Sequence, residues 1–301
     1  MTKEISIYHE YPYFRPVPLP KDSQNNLNLN DNPVLSKYAF LVLYTLYKYR
    51  CVNKTTLGNA INLKNKNRWK EKSLKKTLQM LRKNGFIEAY GSSIEPAGVE
   101  FQTIVYILTK KGFDYLYSQY KKLDRLKIYE KNQIKASTLL KQASIAQYHI
   151  SLLKNYGYMV TASKFENYIT KSEEIIPSYV TFTKYRAKME LNSKQEKMAI
   201  FGIVAPRKEE ELDVFLGYLL RIINEEIEDT EVFKMVMVIC ENNTHASWIS
   251  WKINKYKQLR PFPILYLQDM ITATDDPLGQ VLYCETDEEG IVKSNINFFK
   301  D

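Results

Sequence analysis

The residues of this chain whose type and spacing could do chemistry are mostly cations. Between Lys64 and Lys83 the stretch KNKNRWKEKSLKKTLQMLRK holds nine Lys and Arg and one acid, Glu71. Leu74, Leu78 and Leu81 recur there at helical spacing, which predicts a helix with one narrow apolar stripe. At 100° per residue, Lys72, Lys76, Gln79 and Lys83 fall on the far side of that helix, with Arg68 and Lys75 on its flank. A solvated face normally mixes signs, because like charges four residues apart repel by a few tenths of a kcal/mol. Lys72 and Lys76 are such a pair, with no acid between them on that face. Phosphates would supply the missing charge, and several Lys contacts would give most of the affinity and make it salt-dependent.

The expected division of labour follows from residue type. Lys70, Lys72, Ser73, Lys75, Lys76 and Lys83 suit phosphate, whereas Arg68 and Gln79 suit the major-groove edges of guanine and adenine. Thr55 and Thr56, early in a preceding short helix, could bind a phosphate through hydroxyls and backbone N–H groups. Tyr90, Ser92 and Ser93 sit where a strand turn would approach a minor groove, although Glu88, Glu95 and Glu100 leave that turn electrostatically indifferent. Trp69 could stack on a nucleic acid or pack on the chain's own amino-terminal arm.

A search for catalysis returns less. A metal-dependent nuclease needs carboxylates to hold Mg²⁺ and a lysine beside the nucleophile. The order of the second half resembles a restriction-endonuclease-like core, whose motif implies Pro-Asp on one strand and Glu-x-Lys on the next. Against it, Ile176-Pro177-Ser178 has Ser in place of the acid, and Ala199-Ile200-Phe201-Gly202-Ile203 offers neither acid nor lysine. The three histidines, His9, His149 and His245, are isolated, and no His-x-His pair exists for a relaxase-type site. His149 reads as a satisfied buried residue and His245 as part of a helix start. No Gly-rich phosphate loop or nucleophile elbow is present. No catalytic residue, metal or cofactor is therefore expected. Cys51, Cys240 and Cys284 lie far apart without a CxxC, which points to a reducing compartment and away from structural zinc. Glu209-Glu210-Glu211 with Asp213 reads as the first turn of a helix. Trp248 and Trp251, three apart, could be packed by one helix face, as core or as a dimer contact.

Charge organises the chain. Of the net +9, residues 1–135 hold 24 Lys and Arg against 11 Asp and Glu, a balance of +13, and the remainder 19 against 23, a balance of −4. A polyanion is thus expected to meet the first half only. The length of 301 residues suits two domains. No apolar run approaches the roughly 20 residues that span a bilayer, and the amino terminus lacks a signal-peptide pattern, so the expected location is cytoplasmic. The 23 tyrosines read as composition.

The elements that must position the cations can be traced in order. Residues 1–32 read as a Pro- and Asn-rich flexible arm. A buried helix is predicted from about Pro33, capped by Asn32, and a short helix after Asn53. The basic helix stops at Asn84-Gly85. FIEAYGSSIE and FQTIVYIL then read as two strands around a loop, followed by a helix from about Lys110 to Tyr120.

LQMLRKNGFI, Leu78 to Ile87, and YILTKKGFDYL, Tyr106 to Leu116, resemble winged helix-turn-helix regulators of the MarR and PadR type over residues 33–120. The turn between the second and third helices is longer than in the compact form. The resemblance implies a DNA-reading third helix, a wing, and homodimers on paired half-sites. Residues 121–143 have the period of a connecting helix. Residues 144–301 read as a helix, extended segments, then alternating helix and strand, an α/β domain with a mixed sheet. The fold class expected is α+β. The second domain's order resembles a degenerate restriction-endonuclease-like core, and the whole chain resembles the replication-relaxation family of mobile-element proteins. Those likenesses imply a sequence-specific, double-stranded DNA-binding protein of a bacterial plasmid, phage or integrative element. It would act as a transcriptional regulator or as an accessory at a replication or transfer origin. Residues 144–301 would dimerise or bind a protein partner. The alternatives are a metal-dependent nuclease and a protein-interaction module that meets an acidic partner.

Overall fold

A computed structural model of the chain describes residues 13–19, 35–64, 70–93, 103–123, 129, 134–169, 175–184, 196–206, 209–226, 233–240, 243–254, 264–267, 277–278, 281–286 and 291–296. They form a mixed α+β protein of two compact units, which divide between Ala146 and Gln147.

The first unit contains β1 (Tyr13–Pro16), α1 (Lys37–Tyr49), β2 (Cys51–Asn53), α2 (Lys54–Lys64), α3 (Glu71–Lys83), β3 (Ile87–Ser93), β4 (Thr103–Leu108) and α4 (Lys110–Gln119). Helix α1 is capped by Ser36, whose hydroxyl accepts from the Ala39 N–H. That moves the start from the predicted Pro33; Asn32 and Pro33 lie outside the described residues. Asn53 caps α2 as its sequence predicts, accepting from the Thr56 N–H at 2.8 Å.

The four strands pair antiparallel in the order β1-β3-β4-β2. Alternation along them buries Val52, Ala89 and Tyr106 on one face, where α1 and α3 pack. Cys51, Val105 and Ile107 lie on the other, packed with Tyr129, Leu139, Leu140 and Ala143. The last three belong to α5 (Ala136–Tyr156). The stretch 121–143, read as a connecting helix, is helical over part of its described residues, 136–143. Residues 121–123 form a turn and α5 begins only at Ala136, running unbroken past the unit boundary.

The second unit adds β5 (Val160–Ile169), β6 (Ile175–Lys184), β7 (Glu196–Val204), a 3-10 turn at Glu209–Glu211, α6 (Leu212–Glu226), β8 (Phe233–Ile239), α7 (Asn243–Asn254), β9 (Ile264–Leu267), β10 (Val281–Thr286) and β11 (Ile291–Ile296). They build one seven-stranded sheet in the order β11-β10-β9-β8-β7-β6-β5. Strands β7, β8 and β9 run parallel and the outer pairs antiparallel, so the sheet is mixed. Parallel strands are covered on both faces, which is why β7 and β8 read as continuous apolar runs. Phe201, Val236 and Val238 pack with Leu216, Leu219 and Ile222 of α6 and Ile249 of α7.

The two tryptophans of α7 part company. Trp248 packs against this core, whereas Trp251 is 45 % exposed, so this core takes only the first of the two. Three residues is 300° of helix, and the 60° left over is enough to carry Trp251 out to solvent. Glu209, in the acidic turn before α6, pairs with Lys252 of α7.

Candidate nucleic-acid interface

The orientation of the basic helix α3 is fixed by the way its end meets α4. Leu74, Leu78 and Leu81 are buried, and the helix closes with Asn84 N–H donating to Met80 O and Phe86 N–H to Leu81 O. Gly85 supplies the left-handed turn, with φ +70. Thr109 then joins the two motifs. Its hydroxyl lies 2.7 Å from Gly85 O and 2.9 Å from Phe86 O, and it accepts from the Gly112 N–H at 3.1 Å as the cap of α4. Gly112 is pressed against the same carbonyl: a Cβ there would lie 2.1 Å from Phe86 O. Phe86 is buried, with Tyr115 edge-on at 5.6 Å between ring centroids. The Asn-Gly-Phe stop and the Leu-Thr-x-x-Gly turn are therefore two sides of one joint.

Opposite the leucine stripe, Lys72, Ser73, Lys75 and Lys76 are exposed, and Gln79 and Lys83 half-exposed. Lys70 stands exposed at the cap position, with extended backbone and no side-chain cap bond. Among the described residues no carboxylate lies within salt-bridge distance of Lys72, Lys76 or Lys83. The only acid of α3, Glu71, pairs instead with Lys54 at the start of α2. The hydrogen bond and charge of Lys54, with a further contribution from Lys75, hold the Glu71 carboxyl below its ordinary value.

The other predicted residues scatter. Thr55 is exposed in the first turn of α2. Thr56 is 2 % exposed and its N–H is taken by Asn53, so neither of its groups is open to a phosphate. Tyr90 is not at a strand turn. It sits mid-strand opposite Val105, packs toward the α5 side of the sheet and donates to Glu88 at 2.8 Å. Burial and Glu88 together push that phenol up to about 12. Ser92 and Ser93 do occupy the far end of β3. Arg68 and Trp69 lie outside the described residues.

Sequence reading missed two partners of this surface. One is Lys54, which was overlooked beside the two threonines. The other is the segment expected to be a flexible arm. Residues 13–16 form β1, an added strand on the outer edge of β3, with Tyr13 opposite Ser93 and Pro16 opposite Tyr90. Val17 N–H donates to Ala89 O at 2.8 Å, and the Arg82 guanidinium of α3 donates to Val17 O and, at 3.2 Å, to Pro18 O. The strand is thus strapped to both the sheet and the basic helix. Arg82→Gln should remove a charge-assisted bond worth about 1.5–3 kcal/mol and loosen the strap. The expected readout is hydrogen exchange at the Val17 amide about 10- to 100-fold faster, with exchange in α1 unchanged.

In the second unit, His149 is fully buried. Its Nδ1 lies 2.7 Å from Ser178 Oγ and its Nε2 2.9 Å from Ser163 Oγ. Ser178 is itself 1 % exposed. His245 is buried near the start of α7, its Nε2 2.7 Å from Pro206 O. Cys51 and Cys240 are buried free thiols, and burial raises that of Cys51 well above its ordinary value. Among the described residues no three His, Cys, Asp or Glu side chains come together as a metal site would require. Nor is any described helix long and apolar enough to cross a membrane. No family model matches the chain, and no curated protein or solved structure matches it.

Proposed function

We propose that this chain is a sequence-specific, double-stranded DNA-binding protein whose first unit is a winged helix that reads DNA through α3. The observation that carries the reading is the face of exposed Lys72 and Lys76 and half-exposed Lys83, which has no described carboxylate partner, on a helix anchored by the Thr109 joint. The element order α1-β2-α2-α3-β3-β4-α4, with β2 pairing back onto the β3–β4 hairpin, supports it. So does the +13 balance of residues 1–135. The process we assign is transcriptional regulation, or an accessory role at a replication or transfer origin, in a bacterial mobile element. The acidic second unit serves homodimerisation or a protein partner, and the protein works in the cytoplasm.

The test is selection of bound fragments from the host element's DNA, followed by footprinting and a salt series. A protected palindromic site supports the reading, and its overlap with a promoter or an origin decides the process. Weak, equal binding to every sequence overturns it. On the selected site, Lys72→Ala should weaken binding to all DNA by about eightfold at 0.1 M salt and flatten the salt slope by about 0.9. Gln79→Ala should instead relax preference at one base pair by about 1–3 kcal/mol. Competition against single-base variants of the site separates the two effects.

A further inference from the structure

Helices α2 and α3 are brought together at their first residues by an ion pair. Lys54 opens α2 and Glu71 opens α3, and the ammonium donates to the carboxylate. The Lys54 side chain is 36 % exposed and that of Glu71 79 %, so the pair lies at the surface. Glu71 also has Lys75 four residues on, in the favourable acid-before-base order along a helix, yet its hydrogen bond goes to Lys54. The one acid in a helix of lysines is therefore spent on a cation from the neighbouring helix.

A carboxylate oxygen and a phosphate oxygen are the same kind of acceptor for an ammonium. An exposed pair of this kind is weak and readily broken, so it can compete with an incoming anion without locking it out. We propose that Glu71 is a built-in competitor for Lys54. Its carboxylate occupies the ammonium that a DNA phosphate would otherwise hold, and so holds down binding to DNA of any sequence. The inference rests on the reading of α3 as the DNA-facing helix. Its consequence is selectivity: the competitor removes one sequence-independent phosphate contact and leaves the base-reading ones in place.

The test is a double-mutant cycle on the full chain, Glu71→Gln, Lys54→Ala and both together, titrated with random-sequence duplex across a salt series. Glu71→Gln is expected to tighten binding by about two- to sixfold at 0.1 M salt, the range set by release of one exposed ion pair, and to steepen the salt slope. In the Lys54→Ala background the gain should vanish. A gain that survives intact without Lys54 would mean that Glu71 merely repels DNA, and overturns the proposal. So does no gain at all, or a change confined to one base pair, which would make Glu71 a base reader. Lys72→Ala is run beside the cycle. If it weakens binding while Glu71→Gln does nothing, only this inference falls; if the parent chain binds no duplex, the DNA reading falls with it. Thermal melts of each variant establish that the fold is intact.

Discussion

Gly112→Ala should destabilise the first unit by about 3 kcal/mol, in the opposite sense to what helix propensity alone would give. In the interior of an exposed helix, Gly to Ala gains about 0.5–1 kcal/mol, from reduced backbone entropy in the unfolded chain. At Gly112 the added carbon would lie 2.1 Å from the Phe86 carbonyl oxygen and 2.7 Å from Leu108 Cδ1. The first neighbour is backbone, so relief requires α4 to move away from the end of α3. That movement breaks the bonds from Thr109 to Gly85 O and Phe86 O, and the steric term wins. Gly217 in α6 is the internal control, because a Cβ there meets nothing within 4 Å. Gly217→Ala should stabilise by about 0.5–1 kcal/mol. Urea titrations read by circular dichroism, with hydrogen exchange in α3 assigning the transition, would show the midpoint falling for one variant and rising for the other.

The double variant Lys72→Ala/Lys76→Ala should lose about sixtyfold in affinity for the selected duplex at 0.1 M salt. Each phosphate contact contributes about 0.9 to the slope of log K against log salt, so at 0.1 M each is worth about a factor of eight. The two lysines are exposed, a helical turn apart, and make no ion pair among the described residues, so the losses should multiply. The slope should fall by about 1.8 and the two affinities converge near 1 M salt. The leucine stripe is untouched, so the melting temperature should hold. An unchanged affinity would show that DNA, if bound, approaches another face.

What could be read without coordinates was local. The stripe Leu74, Leu78 and Leu81, the Asn84-Gly85 stop, the Asn53 cap and the strand around Val105 each follow from spacing within a few residues. The mixed sheet of the second unit was legible for the same reason, since β7 from Met198 on and β8 from Met235 on are apolar. What was missed depends on partners far away in sequence. Nothing in YFRP announces a strand, because its partner lies near residue 90 and its clamp is Arg82. Thr56 looked like a phosphate ligand by position, but one turn of helix geometry put its hydroxyl inside. Tyr90 went astray by strand parity, because a neighbour of either kind would have faced the opposite side of the sheet. The exposed face of α3 was legible, whereas the pairing of its one acid with Lys54 was not.

The added strand also has a bearing on how the protein can be handled. Shortened forms that begin at α1 look harmless on paper, since they remove only a proline-rich leader. They would strip β3 of its outer neighbour and leave a row of bare amides and carbonyls along the rim. Such a rim recruits whatever extended peptide is nearest, and in a concentrated solution that is another molecule with the same wound. Clumping of a trimmed protein would then say nothing about its natural assembly.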